Sequence, residues 1–164
     1  MRRKRIVQRL TISSLILTAF IVGAQISAFG QEAGGAKVAR LLNESGVKLT
    51  KVGDDIWTIP FEGKSMKEIS VVTTVSEGIF LAFALIPESK NVKFPPPALQ
   101  KLLNLNDEFD RVKIGIDDKG FVFVRIDMTV RTLDKQELSD GIDQVAAAVD
   151  QVYGHIRPHL PKTK

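Results

Sequence analysis

Phe121-Val122-Phe123-Val124-Arg125-Ile126-Asp127-Met128-Thr129-Val130 is the stretch that decides the fold. Val122, Val124, Ile126, Met128 and Val130 are all apolar and fall at alternate positions. Successive side chains of an extended chain point to opposite faces, so these line one side of a strand and leave Phe121, Phe123, Arg125, Asp127 and Thr129 on the other. The preceding Arg111 to Asp117 alternates in the same way through Val112, Ile114 and Ile116, and Asp117-Asp118-Lys119-Gly120 joins the two strands. Beyond the pair the period changes. Leu138, Ile142, Val145, Val149, Val152 and Ile156 recur at steps of three and four, which predicts a long helix from Asp134 to about His155 with its apolar stripe on the sheet. Thr132 or Asp134 can cap its start, and Arg157-Pro158 stops it.

Upstream of the hairpin, Pro87 to Pro97 is a proline-rich loop. Its last proline opens a helix that carries Leu99, Leu102, Leu103 and Leu105 and ends around Asn106-Asp107. Ile79 to Ile86 is apolar on both faces; as a strand it must be central in the sheet or have one face buried against a partner chain. Ile69, Val71, Thr73 and Val75 alternate before the turn at Ser76-Glu77-Gly78. Lys48 to Val52 and Ile56 to Phe61 flank Gly53-Asp54-Asp55 as a further hairpin, with Pro60 marking an edge or an end. Ala36 to Ser45 reads as a short amphipathic helix stopped by Gly46, preceded by a flexible linker at 31–35, and residues 161–164 read as a tail. The predicted order is α-β-β-β-β-α-β-β-α over 36–160, an α+β domain in which an antiparallel sheet has helices packed on one face.

The chain has 164 residues and no cysteine, which excludes a disulfide framework, a thiol nucleophile, Cys-ligated zinc and iron–sulfur centres. Its charge is unevenly placed. Of the 23 Lys and Arg, 5 fall in the first ten positions, leaving 18 bases against the 19 acids, all of which lie beyond residue 30. The body is therefore near neutral, without the basic excess that a nucleic-acid-binding face requires. Arg2, Arg3, Lys4, Arg5 and Arg9 precede an uncharged apolar run from Leu10 to Phe29. A basic flank, an apolar core and small residues at its exit form a secretory signal, with cleavage before Gln31 after Ala28-Phe29-Gly30, or before Phe29 after Ile26-Ser27-Ala28. The same run is long enough to span a bilayer if uncut, so an N-terminal membrane anchor is the alternative. Either way the body is expected outside the cytoplasm, periplasmic or secreted, or held at the inner membrane by residues 10–29.

No catalytic constellation stands out. His155 and His159 have the spacing of a metal pair on a helix, but Pro158 lies between them and breaks that geometry, so no metal site is assigned. The acidic groups around Asp107 and Asp117 lack the glycine and closing glutamate of a calcium loop. There is no glycine-rich phosphate loop and no nucleophile elbow. The expectation is a non-enzymatic protein without a cofactor.

The order of elements resembles the YbjN family, whose fold is similar to that of the type III secretion chaperones. The resemblance is carried by Leu41-Leu42-Asn43-Glu44-Ser45-Gly46-Val47 leading into a hairpin, by Ile56-Trp57-Thr58-Ile59-Pro60-Phe61, and by the proline-led leucine helix followed by a strand pair and a long terminal helix. It spans Val38 to Ile156 and implies a non-enzymatic, often dimeric body that holds a peptide or protein segment. The residues themselves point to a contact surface on the open side of the sheet. Phe121, Phe123 and Arg125 are expected there, with Trp57 as core or groove lining. Homodimerisation or capture of a partner's strand or helix would use it. The alternative expectation is a small-ligand sensor or hydrolase of the cell envelope, with a pocket near Trp57.

Overall fold

The alternation of residues 122–129 becomes strand β6 (Val122–Thr129), which pairs antiparallel with the doubly apolar run of residues 79–86, now strand β4 (Ile79–Ile86). In register, Phe80 faces Met128, Ala82 faces Ile126 and Ala84 faces Val124. The computed structural model describes residues 34–161. The export segment at residues 1–30 and the residues beyond 161 lie outside the described residues.

The remaining elements are helix α1 (Gly34–Ser45), strands β1 (Thr50–Gly53), β2 (Ile56–Phe61) and β3 (Ile69–Ser76), helix α2 (Pro96–Glu108), strand β5 (Lys113–Ile116) and helix α3 (Lys135–Ile156). The strands form one six-stranded sheet in the order β1-β2-β3-β4-β6-β5, with every adjacent pair antiparallel. α1 takes up Gly34 and Gly35, residues expected to belong to a flexible linker. Asp134 caps α3 by accepting the Glu137 N–H at 2.8 Å, and Pro96 and Pro97 open α2, where their missing N–H groups cost nothing.

The three helices all lie on one side. α3 crosses β3, β4 and β6, α1 and α2 flank it, and α2 also packs on β5. Leu138, Ile142, Val145, Val149, Val152 and Ile156 are buried on the α3 stripe, against Phe80, Ala82, Ala84, Val122, Val124 and Ile126 of the sheet. Ile116 departs from the expected inward set. It has the parity of Ile114 but is 43% exposed, at the last position of the outermost strand.

Two polar side chains bind the layers together. Asn106 of α2 completes the free edge of β5, accepting the Ile114 N–H at 2.8 Å and donating to the Ile114 carbonyl at 3.2 Å. A side-chain amide thus occupies the ladder position of a missing strand. Asp150 of α3 holds the β2–β3 loop, accepting the backbone N–H groups of Ser65 at 2.7 Å, Met66 at 2.8 Å and Lys64 at 3.1 Å.

Candidate protein-binding face

The helices cover one side of the sheet, and on the other side strand alternation brings apolar side chains into neighbouring rows. From the register, Phe83 sits between Val72 of β3 and Arg125 of β6, while Leu81 sits between Thr74 and Asp127. Leu85 is opposite Phe123, and Ile79 is opposite Thr129. Ile79 and Leu85 are 40% and 37% exposed, and Leu81, Phe83 and Phe123 are half-buried. A shallow concavity of about 280 Å³ lies among Leu81, Phe83, Leu85, Phe123, Arg125 and Asp117. An apolar patch rimmed by charge, with none of the described helices over it, is the arrangement of an interaction surface.

The β6 half of this face is already partly occupied by contacts of its own. Phe123 faces Gly115 across the β5–β6 pair, and a Cβ at Gly115 would come within 2.8 Å of the ring. The missing side chain lets the aromatic lie over the edge strand. Arg125 stacks on the same ring at 5.6 Å from its centroid. Lys113 and Arg125 are directly opposed like charges, a pairing that is unfavourable by itself. Asp127 resolves it by hydrogen-bonding Lys113 and approaching Arg125 at 3.7 Å. These exposed ion pairs contribute at most about 1 kcal/mol each, but they fix where the cations lie.

The four candidate residues are therefore distributed unequally. Phe123 and Arg125 lie on the open face. Phe121 precedes β6 in the turn, half-buried, its ring beneath the Lys90 ammonium at 5.3 Å from the centroid. Trp57 takes the core place of the two expected for it and not the groove lining. It is 4% exposed, pairs with Thr73 on the helix side and belongs to the core, away from the concavity on the open face. Leu81 and Leu85 of β4 are open-face residues that sequence reading did not single out. The mark was present, since a strand apolar at every position must send half of its side chains away from the core.

No protein-family model and no curated protein matches the sequence. Solved structures do. A chain of the heterodimeric complex ExoU-SpcU from the type III secretion system of Pseudomonas aeruginosa is 19% identical, with a TM-score of 0.51, over 76% of this chain and 98% of that one. YbjN from E. coli is 14% identical, with a TM-score of 0.52, over 76% and 93% of the two chains. A chain of the HopA1-SchA chaperone-effector complex is 12% identical, with a TM-score of 0.54, over 76% and 98%. Such identities speak for the path of the backbone and not for the side chains on it. In that sense this protein has the type III secretion chaperone-like fold, which it shares with YbjN.

Proposed function

We propose that this is a non-enzymatic, chaperone-like protein that holds a segment of a partner protein against the open face of its sheet, and that it does so outside the cytoplasm. The observation that carries the reading is the bare apolar run of β4, with Ile79, Leu81, Phe83 and Leu85 on the side away from the helices. Support comes from the company the fold keeps, since similar chains occur in complexes described as heterodimeric and as chaperone-effector. An extended or helical segment would set its apolar side chains over Leu81, Phe83 and Leu85, with Arg125 and Asp117 at the rim to choose among sequences.

Export is inferred from the basic flank and uncharged run at the N-terminus. A cytoplasmic role in loading a secretion machine does not fit that segment. Cell fractionation with N-terminal sequencing tests it. The expected product is soluble and periplasmic or secreted, beginning at Gln31 or Phe29; full-length protein in the membrane fraction indicates the anchor, and full-length protein in the cytosol refutes export.

Capture of a partner from envelope extract, identified by mass spectrometry, tests the face. The double variant Phe83→Ser/Leu85→Ser is expected to lose the partner while its urea transition stays cooperative. Leu103→Ser, at the 65% exposed leucine of α2 on the helix side, is expected to keep it. Equal retention by all three proteins overturns the reading. Loss of self-association in place of partner capture would make the face a dimer interface.

A further inference from the structure

A second cleft, of about 490 Å³, lies at the end of the sheet, where the β2–β3 loop, the turn after β4 and the last turns of α3 meet. Its volume falls within the range of small-ligand sites, about 300–1,000 Å³. It is separate from the open face and independent of the reading given to that face. Lys64, Ser65 and Lys67 enter from the loop, Glu88 from the turn, and Tyr153 and Arg157 from α3 and the single 3-10 turn that follows it.

Two features of the lining stand out. Neither Lys67 nor Arg157 forms an ion pair among the described residues, although Glu68 and Glu88 line the same cleft. Glu88 Oε2 is withdrawn from solvent with no hydrogen-bond partner among the described residues. A carboxylate with one oxygen removed from water and no donor on it is costly to hold ionised, and an incoming N–H at the part of Glu88 that lines the cleft would offset that cost. The loop is also held in advance of any ligand. Asp150 takes the N–H groups of Lys64, Ser65 and Met66, so the backbone that carries Lys67 is fixed from below.

Unpaired cations call for an anion, and the carboxylate short of a donor in the same cleft calls for one. A bare phosphate supplies only acceptors and would set its negative charge against Glu88. An α-carboxylate with a protonated nitrogen next to it answers both demands. We propose that this cleft binds such a group, the C-terminal residue of a peptide or a free amino acid. Arg157 and Lys67 take the carboxylate, and the Glu88 carboxylate accepts from the adjacent N–H. The guanidinium presents paired N–H donors that match a carboxylate.

The test is calorimetric titration of the full-length protein with tri-alanine as the free acid, tri-alanine amide, free alanine and inorganic phosphate. Tri-alanine acid or alanine is expected to bind saturably with a dissociation constant below about 1 mM, and the amide and phosphate at least about tenfold more weakly. Arg157→Gln is expected to weaken binding at least about tenfold without moving the thermal midpoint, since the side chain is exposed and unpaired. Lys67→Gln, in the loop, is the second variant. Tighter binding of alanine than of the tripeptide, with Glu88→Gln weakening alanine the more, identifies free amino acids as the source; the reverse order identifies a peptide end. Absence of saturable binding by both acids, equal affinity for acid and amide, phosphate matching the acid, or folded Arg157→Gln and Lys67→Gln proteins binding as the wild type overturns the proposal.

Discussion

Replacing Asp150 with alanine should release the β2–β3 loop from α3, and the structure gives the size of the effect. Two of the three N–H groups on this carboxylate, those of Ser65 and Met66, are at 2.7 and 2.8 Å and part-buried; that of Lys64 is at 3.1 Å and exposed. A hydrogen bond to a charged group contributes about 1.5–3 kcal/mol when shielded from water. Asp150 is only half-buried and water recovers part of each, so about 1 kcal/mol for each of the two short bonds is reasonable, a loss of about 2 kcal/mol for Asp150→Ala. In a domain of this length that lowers Tm by about 6–10 °C. Asp150→Asn keeps an acceptor oxygen without the charge and should cost about half as much. Burial by itself would raise the Asp150 carboxyl, but the N–H groups of Met66, Ser65 and Lys64, with the Lys64 charge, outweigh it and hold the group below its usual value of 3.8. The folded state then stays ionised where the unfolded chain has taken up a proton. Its contribution is complete above the unfolded value and disappears as pH falls through the folded one. Urea unfolding of wild type and Asp150→Ala should show the full gap at pH 7 and 5 and a shrinking gap below about pH 4. A gap under about 0.5 kcal/mol at pH 7, or one that keeps its size in strong acid, refutes this account. Gly63→Ala probes the same lock from the other side, because a Cβ there would lie 2.2 Å from Asp150 Oδ1 and 2.6 Å from the Met66 carbonyl. Once the carboxylate is gone that clash is relieved in part, so the double variant should lose less than the two single losses added.

Thr73→Val should stabilise the protein. The Thr73 hydroxyl is fully buried on the helix side of β3 without a partner among the described residues, and an isosteric methyl removes that burden for a gain of about 1 kcal/mol in urea unfolding. Ser89→Ala should do the opposite. Its buried hydroxyl donates to the Ile86 carbonyl at 2.6 Å and accepts the Val122 N–H at 2.7 Å, so truncation orphans a buried backbone donor and costs about 1–3 kcal/mol. Asp143→Asn should raise Tm slightly at pH 7 and not at pH 3, because burial first and the neighbouring Asp140 second push the Asp143 carboxyl up. Ionised Asp143 is therefore unfavourable in the folded state above its folded value, and the burden vanishes below its unfolded one.

Periodicity was legible wherever a helix covers the strand, since burial under α3 excludes polar side chains from one parity and leaves the other free. That is why residues 122–130 and 138–156 could be placed on faces from the sequence, whereas 79–86, apolar at every position, could not. β1 could be inferred only from the turn beside it, because Thr50, Lys51 and Val52 are all exposed and carry no alternation. Trp57 shares parity with the buried Ile59, and Pro60 is exposed, so its interior position was written in β2; aromatic size drew attention to the wrong question. Asp150 and the cleft beside it were not legible. The amides that Asp150 binds lie 84 to 86 residues earlier, and the cleft joins a loop, a turn and a helix end that no short motif connects. Sequence patterns report a residue's own exposure, whereas these features depend on which distant segments the fold brings together.

The open face divides into two halves with different expected energetics. On β6 the Phe123 ring is seated over Gly115 and stacked by Arg125, and Asp127 ties down both Lys113 and Arg125. A partner that uses this half must displace contacts the protein already makes, so its net gain is reduced. On β4, Ile79 and Leu85 remain well exposed, and the β3 residue opposite Ile79 is the short Ser76, which cannot fold over it. A partner that covers β4 displaces only water and collects about 25 cal/mol for each Å² of apolar surface it removes. Leu85→Ser should accordingly cost more partner affinity than Phe123→Ser, even though phenylalanine is the larger residue. If Phe123→Ser proves the more damaging, the aromatic must leave Gly115 and enter a pocket on the partner, and the centre of the interface lies at the β5–β6 edge instead of on β4.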